Sequence, residues 1–274
     1  MNIVGLGNAG CKIAKSFEKY SQYQCYQIDV GIEGDRSYNF PAYETTEEYE
    51  AILPCLASFL KPIKGETLFI LAGGGAISVS SLRILEKLDH KNVTLLYIQP
   101  EIELLTEVQV LRERLVRNVL QQYARSSAFK RLYLVSNLEL EKIIGDVPIM
   151  SYYDKLNEVL ITTLHMIHIF QNSNPVMGKL NEPRDVCKIS TFGIFDAAKN
   201  EEKIFFPLDM RRDVCYIYGV NEDKLQNDGT LFRSIVNQMK TKVSKTTNVS
   251  YAVFQTKYED DISYCIAHAS YIQP

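Results

Sequence analysis

The chain has no tryptophan, only four histidines and six cysteines. Cys11, Cys25, Cys55, Cys187, Cys215 and Cys265 are scattered, and no C-x-x-C pair occurs, so neither a zinc knuckle nor a redox pair is expected. No apolar run approaches the ~20 residues of a membrane span. No apolar leader precedes the first strand pattern, and the expectation is a cytoplasmic chain with reduced thiols. A basic excess is also missing. Thirty Lys and Arg against 33 Asp and Glu give a net charge of −3, too little to neutralise phosphates along a nucleic acid. The local run Arg112-Glu113-Arg114 with Arg117 is mixed in sign and reads as a solvated helix face. His165 and His168 stand three apart on an apolar pattern, but no third ligand joins them, so a core or interface role is expected and no metal. Neither an internal repeat nor a low-complexity stretch is present.

At 274 residues, 46% of them hydrophobic, the chain can bury two cores. Its first segment carries the strongest signal. Ile3-Val4-Gly5-Leu6-Gly7-Asn8-Ala9-Gly10-Cys11-Lys12-Ile13-Ala14 runs from a strand through a glycine turn into a helix. Gly5, Gly7 and Gly10 complete G-x-G-x-x-G, and Asp29 closes the next apolar run. Such glycines let a backbone approach an anion, and the following helix aims free N–H groups and a positive dipole end at a phosphate. An acid at the end of the second strand suits a ribose hydroxyl. A P-loop does not fit, because Gly10 is followed by Cys11 and Lys12 rather than by Lys and Ser or Thr.

The pattern continues with a helix over Glu47–Leu60, a buried strand at Thr67–Leu71 and a second glycine turn, Gly73-Gly74-Gly75, leading to a helix through Leu82–Leu88. After a strand at Val93–Ile98, the residues Leu104, Leu105, Val108, Leu111, Leu115, Val119 and Tyr123 recur at steps of three and four. They mark one long amphipathic helix. A strand at Leu132–Val135 ends at Ser136-Asn137. Strands alternating with helices imply a parallel sheet covered on both faces, with ligands beyond the carboxyl strand ends. A helix over Ser151–Phe170 is apolar on most sides and is expected between layers. Beyond residue 172 the texture becomes α+β, with strands at Val214–Tyr218, Val249–Thr256 and Ile262–Ala267 and a helix at Leu231–Met239. Asp213 and Glu259-Asp260-Asp261 read as solvated loop charges. The division expected is a Rossmann-like nucleotide-binding domain at 1–150, a central helix at 151–171 and an α+β domain at 172–274.

This order of parts resembles the tubulin/FtsZ superfamily over nearly the whole chain. The central-helix segment Tyr152-Tyr153-Asp154-Lys155-Leu156-Asn157-Glu158-Val159-Leu160 is similar to the family's A-F-x-x-A-N-D/E-V-L. The resemblance implies guanine stacked on Tyr153 and hydrogen-bonded by Asn157 and Asn137. It also implies phosphates on Gly5, Gly7, Asn8, Ala9, Gly10 and on Gly73, Gly74, Gly75 and Ser78, with Asp29 nearby. The cofactor would then be GTP or GDP, with magnesium, and the partner a second copy of the chain, head to tail in a filament.

Two segments depart from the family. Its fourth loop reads G-G-G-T-G-[ST]-G, whereas here Gly75 is followed by Ala76-Ile77-Ser78-Val79. Its catalytic N-x-D-x-x-D corresponds to a segment one residue shorter, in which Asn181, Glu182 and Asp185 would serve the next subunit's site. A polar domain linker is the other reading of that segment. Weak or absent GTP hydrolysis follows from both departures. The chain closes at Pro274, just after the last strand pattern, so a specialised cytoskeletal protein of plasmid or phage type is expected rather than the main division protein. Two alternatives remain. One is a nucleotide-free structural or adaptor subunit of a larger, phage-type assembly; the other is an NAD-binding Rossmann enzyme.

Overall fold

A computed structural model describes residues 1–274, apart from the side chain of His90. The chain divides into two compact units, Met1–Leu138 with Pro274, and Glu139–Gln273.

In the first unit the strands are β1 (Asn2–Leu6), β2 (Gln24–Asp29), β3 (Ser37–Asn39), β4 (Thr67–Ala72), β5 (Val93–Gln99) and β6 (Arg131–Ser136). They are all parallel, in the order β3-β2-β1-β4-β5-β6. Strands β1 and β4 are buried along nearly their whole length, which is why they read as unbroken apolar runs rather than as alternating ones. Helix α1 (Gly7–Ser16) follows β1. The helix expected over 47–60 is instead two, α2 (Thr46–Ala51) and α3 (Ala57–Leu60). Residues 52–56 between them include Pro54, which cannot continue the first helix. The first of the pair is well started, since Thr45 and Glu48 form a reciprocal capping box. Helix α4 (Ser81–Leu85) is shorter than the sequence pattern indicates.

Helix α5 (Glu107–Arg125) overturns the expectation attached to it. Leu104 and Leu105 precede the helix, and the apolar stripe on the helix itself faces outward: Val108 is 66% exposed, Leu111 70% and Leu115 59%. The inward face carries Glu113, Val116, Arg117, Leu120, Gln121 and Ala124. Glu113 (0% exposed) and Arg117 (5%) are therefore core residues, not a solvated face. Periodicity located the helix correctly and assigned its buried side to the wrong half.

The second unit holds most of α6 (Asn137–Ile144), then α7 (Tyr152–Gln171), β7 (Met177–Gly178), β8 (Ile189–Asp196), β9 (Glu201–Ile204), β10 (Arg211–Asn221), α8 (Glu222–Asn227), α9 (Leu231–Lys242), β11 (Asn248–Thr256) and β12 (Ile262–Ala269). Its strand order is β8-β12-β10-β11-β7, with β9 on β8. Only β10 and β11 run parallel. The expected strands and helix all appear within β10, β11, β12 and α9, and the sequence pattern missed β8 and β9. Helix α7 is less enclosed than expected. It buries Leu156, Leu160, Ile161, Leu164, Ile167 and Phe170 on one side and exposes Asp154, Lys155, Glu158 and Thr162 on the other.

Candidate functional site

The sheet order of the first unit reverses direction between β1 and β4. In an open parallel sheet this switch point opens a crevice at the carboxyl strand ends, where ligands bind. The register sets Leu6 of β1 beside Leu71 of β4, so the chain leaves the two strands side by side. Both glycine turns begin there.

The first turn is shaped by close approach. A Cβ on Gly5 would lie 2.3 Å from the Gly10 carbonyl oxygen, and one on Gly10 would lie 2.6 Å from that of Ile70. Both contacts are with backbone, so neither position admits a side chain without moving α1 off the sheet. Gly7 takes a positive φ of 71°, which suits glycine alone at no steric cost. The result is a helix whose start is left open. Leu6, at the N-cap, offers no side-chain hydrogen bond, and no acid occupies the first turn. Asn8 and Ala9 are exposed there. An uncapped, exposed helix start of this kind presents N–H donors and a positive dipole end to an anion.

Cys11, one residue on, faces inward and donates weakly to the carbonyl oxygens of Gly5 and Ile28 at 3.4 and 3.5 Å. Burial, then the neighbouring Asp29 charge, pushes its thiol up to about 12, so it stays protonated and unreactive. Asp29 closes β2 at the same strand ends and accepts from the Val30 N–H at 2.9 Å. Burial holds its carboxyl above the ordinary range, although that hydrogen bond pulls the other way.

The second turn is built differently. The Gly73 N–H donates to the Ile98 carbonyl at 2.9 Å. A Cβ there would meet the Tyr97 hydroxyl at 2.1 Å and Glu113 Cγ at 2.8 Å. Behind it stands a buried polar cluster. The Tyr97 hydroxyl lies 3.1 Å from Glu113 Oε1, and Arg117 Nε donates to the same oxygen at 2.8 Å. Arg117 also donates to the carbonyl of Pro274. Burial, then the adjacent Glu113 charge, raises the Tyr97 hydroxyl well above its ordinary value, so it remains a donor. Arg112 reaches the turn from the same helix, donating to the Gly74 carbonyl at 3.0 Å and to Thr46 Oγ1 at 2.7 Å.

Gly74 has φ 84° and Gly75 is exposed, but the residues after them close the turn. Ser78 is buried, and its hydroxyl donates to the Ala72 carbonyl at 2.7 Å. Ile77 packs toward the first turn, its Cγ2 3.0 Å from where a Gly7 Cβ would be. The two glycine turns are thus adjacent, with Ile77 between them. Asn137, half-buried, opens α6 after β6. Arg112, Glu113 and Arg117 read as a solvated face in the sequence because alternating charges on a helix ordinarily mean solvent, and Tyr97 sits unremarked inside the strand pattern of β5. No local signal in the sequence marks them, because the partners that bury these charges are distant along the chain.

In the second unit Tyr153, 58% exposed, and half-buried Asn157 occupy the first turns of α7. Asn181, Glu182 and Asp185 are all exposed, in a strap between α7 and β8. Its start is clipped to β11 by the Val176 and Lys179 N–H groups, donating at 2.8 and 2.9 Å to the carbonyls of Val253 and Tyr251. Its far end is pinned by Arg184, which ion-pairs with Asp213 at 3.0 Å and donates to the Arg212 carbonyl at 2.7 Å. Asp213 is therefore an anchor rather than a solvated loop charge. Burial alone would raise its carboxyl, but the Arg184 hydrogen bonds outweigh that and hold it below the ordinary range. Asp261 likewise is paired, with Lys224.

A separate cavity of about 810 Å³ opens in the second unit among Glu158, Thr162, Phe195, Tyr218, Ile235 and Tyr264. None of the candidate residues above lines it. No group of three potential metal ligands occurs among the described residues, and no helix is long and apolar enough to cross a membrane.

No protein-family model matches the chain, and no curated protein matches it. Solved structures do. An empty FtsZ dimer from M. jannaschii is similar at 13% identity, covering 98% of this chain and 87% of that one, with a TM-score of 0.70. A GTPγS-form protofilament of TubZ from Bacillus thuringiensis serovar israelensis is 14% identical, covering 97% and 86%, with a TM-score of 0.74. A GTPγS-bound protofilament of CetZ2 from Haloferax volcanii is 10% identical, covering 97% and 92%, with a TM-score of 0.66. The switch point in the parallel sheet, the glycine turns that meet there and these likenesses lead to one conclusion: the chain has the fold of the tubulin/FtsZ superfamily.

Proposed function

We propose that this protein binds a guanine nucleotide at the carboxyl strand ends of its first unit and assembles head to tail into filaments in the cytoplasm. The observation that carries the reading is the uncapped start of α1, with Gly7 at positive φ and no acid in the first turn. Gly5, Gly7, Asn8, Ala9 and Gly10 would hold the phosphates, and Asp29 a ribose hydroxyl. Asn137, Tyr153 and Asn157 are the proposed base contacts. The fold is shared with proteins solved as protofilaments and filaments, which supports the assembly.

The site fits such a group unevenly. At the first turn the small residues leave backbone donors accessible. At the second, Ile77 takes up space beside Gly7 and the Ser78 hydroxyl is committed to Ala72. A terminal phosphate and its magnesium would find fewer donors there. When bound, the nucleotide supplies a phosphoanhydride whose cleavage can couple to disassembly. Asn181, Glu182 and Asp185 would be the groups offered to a neighbouring subunit's site to position water. Slow turnover is expected, and the same crowding favours a second reading in which the subunit is structural.

The test is to denature the purified protein and identify any released nucleotide, then repeat after incubation with GTP, GDP, ATP and NAD. Guanine nucleotide retained, with sedimenting polymer formed under GTP, is the expected result. NAD retained instead would replace the proposal with a redox enzyme. A folded protein that retains nothing and still polymerises would be an adaptor.

A further inference from the structure

We propose that the outer face of α5 is a self-association surface on which a second copy of this chain docks antiparallel, about a two-fold axis near Leu111. Val108, Leu111 and Leu115 form a continuous stripe on this helix, all three pointing away from the core. Their steps of three and four residues are those of a seam between two packed helices. Ordinary surfaces scatter single apolar side chains; a stripe in line marks a contact.

The charges beside the stripe choose the occupant and its direction. Glu107 and Arg114 lie seven residues, two turns, apart on one flank, both exposed. Among the described residues neither has a hydrogen-bond or ion-pair partner within the chain. In an antiparallel pairing Glu107 of each copy meets Arg114 of the other, giving two equivalent ion pairs across the axis. A parallel pairing would set Glu107 beside Arg112 of the second copy, whose guanidinium already serves Gly74 and Thr46. The surface is therefore complementary to itself in one orientation, which is the requirement for an isologous contact. Head-to-tail assembly uses two different faces, so this contact is additional to it and would join one filament to another. It does not depend on the nucleotide reading.

Three apolar side chains on one helix make a small contact, which belongs with weak associations, so the dimer should be concentration-dependent. Sedimentation velocity on the full, nucleotide-free chain tests it. We expect a reversible dimer that Leu111→Glu weakens by at least about tenfold. Glu107→Arg and Arg114→Glu should each weaken it as single substitutions. Combining both in one chain, or mixing the two single variants, should restore it. All three positions are exposed, so unchanged thermal melting will confirm that the variants fold. A wild-type chain that stays monomeric across the whole concentration range would overturn the proposal. So would a dimer indifferent to Leu111→Glu, or charge reversals that fail to rescue one another. If the nucleotide test fails while the dimer and its charge rescue persist, this inference stands and the other does not.

Discussion

The two glycine turns arise from similar sequence and end in different states. Gly5 and Gly10 are demanded by backbone passing within 2.3–2.6 Å of a missing Cβ, and what they leave behind is an open helix start. Gly73 is demanded by side chains, Tyr97 and Glu113, and those side chains belong to a buried cluster that braces the second turn from behind. Arg112 ties it from α5, while Ile77 and Ser78 fill it from the front. Glycine in a sequence reports that space is scarce, not what occupies it. One turn is free to accept an anion; the other is stapled in place. That difference supports nucleotide binding more firmly than turnover.

The cluster behind the second turn should give the largest effect. Arg117→Ala would leave Glu113 as a buried, uncompensated charge, with Oε2 already unpartnered among the described residues. A loss of about 3–5 kcal/mol is expected, read as a lower denaturation midpoint. The double variant Arg117→Met with Glu113→Leu should recover most of it, because the desolvated charge goes too. If the single variant costs nothing, the cluster does not brace the turn. Gly5→Ala comes next. Its methyl group collides with a backbone carbonyl and must push α1 away from the sheet, costing about 1–3 kcal/mol and abolishing nucleotide retention. Stability and binding should fall together at Gly5. At Arg117 the first turn is untouched, and any protein that remains folded should still bind.

A third substitution separates folding from binding by sign. Asn8→Asp places a negative charge in the first turn of α1, where none exists. The helix dipole should reward it by about 0.3–1 kcal/mol, so the melting temperature rises slightly. A phosphate approaching the same N–H groups would be repelled, and retention of guanine nucleotide should weaken. A stabilised protein with unchanged retention would mean that the open helix start is not the anion site.

Much of the first unit was legible in the sequence because its strands are buried on both faces and its turns carry glycine. Strands β1, β4, β5 and β6 and both turns follow directly from apolar runs and their punctuation. What failed was the direction of α5. Amphipathic reasoning assumes that the apolar face is the inner one, but here the inner face holds Glu113 and Arg117, hydrogen-bonded to each other, together with buried Gln121. A polar cluster satisfied by partners distant in sequence, such as Tyr97, leaves no local trace. The same limitation hid Asp213, whose partner Arg184 stands 29 residues earlier. Ser78 illustrates the limit within the site itself: the sequence shows a hydroxyl after three glycines, and only the fold shows it bonded back to Ala72.

The strap bearing Asn181, Glu182 and Asp185 offers the smallest and most local effect. Asp213 has a carboxyl held below its ordinary value near 3.8 in the folded state. A group depressed by folding contributes stability above its unfolded pKa and loses it as pH falls through the folded one. The Arg184 anchor should therefore hold at neutral pH and release below about pH 4. Arg184 is 46% exposed, so solvent screening keeps the energy small, and global melting should hardly register it. Amide exchange should instead show residues near Arg184 and Cys187 gaining exchange relative to β11 on acidification, after correction for the intrinsic pH dependence. Arg184→Gln should show the same loosening already at neutral pH and little further change in acid. Equal protection in both proteins at both pH values would show that the clip to β11, rather than the ion pair, fixes the strap. The three exposed acidic and amide side chains would then be presented by backbone pairing alone.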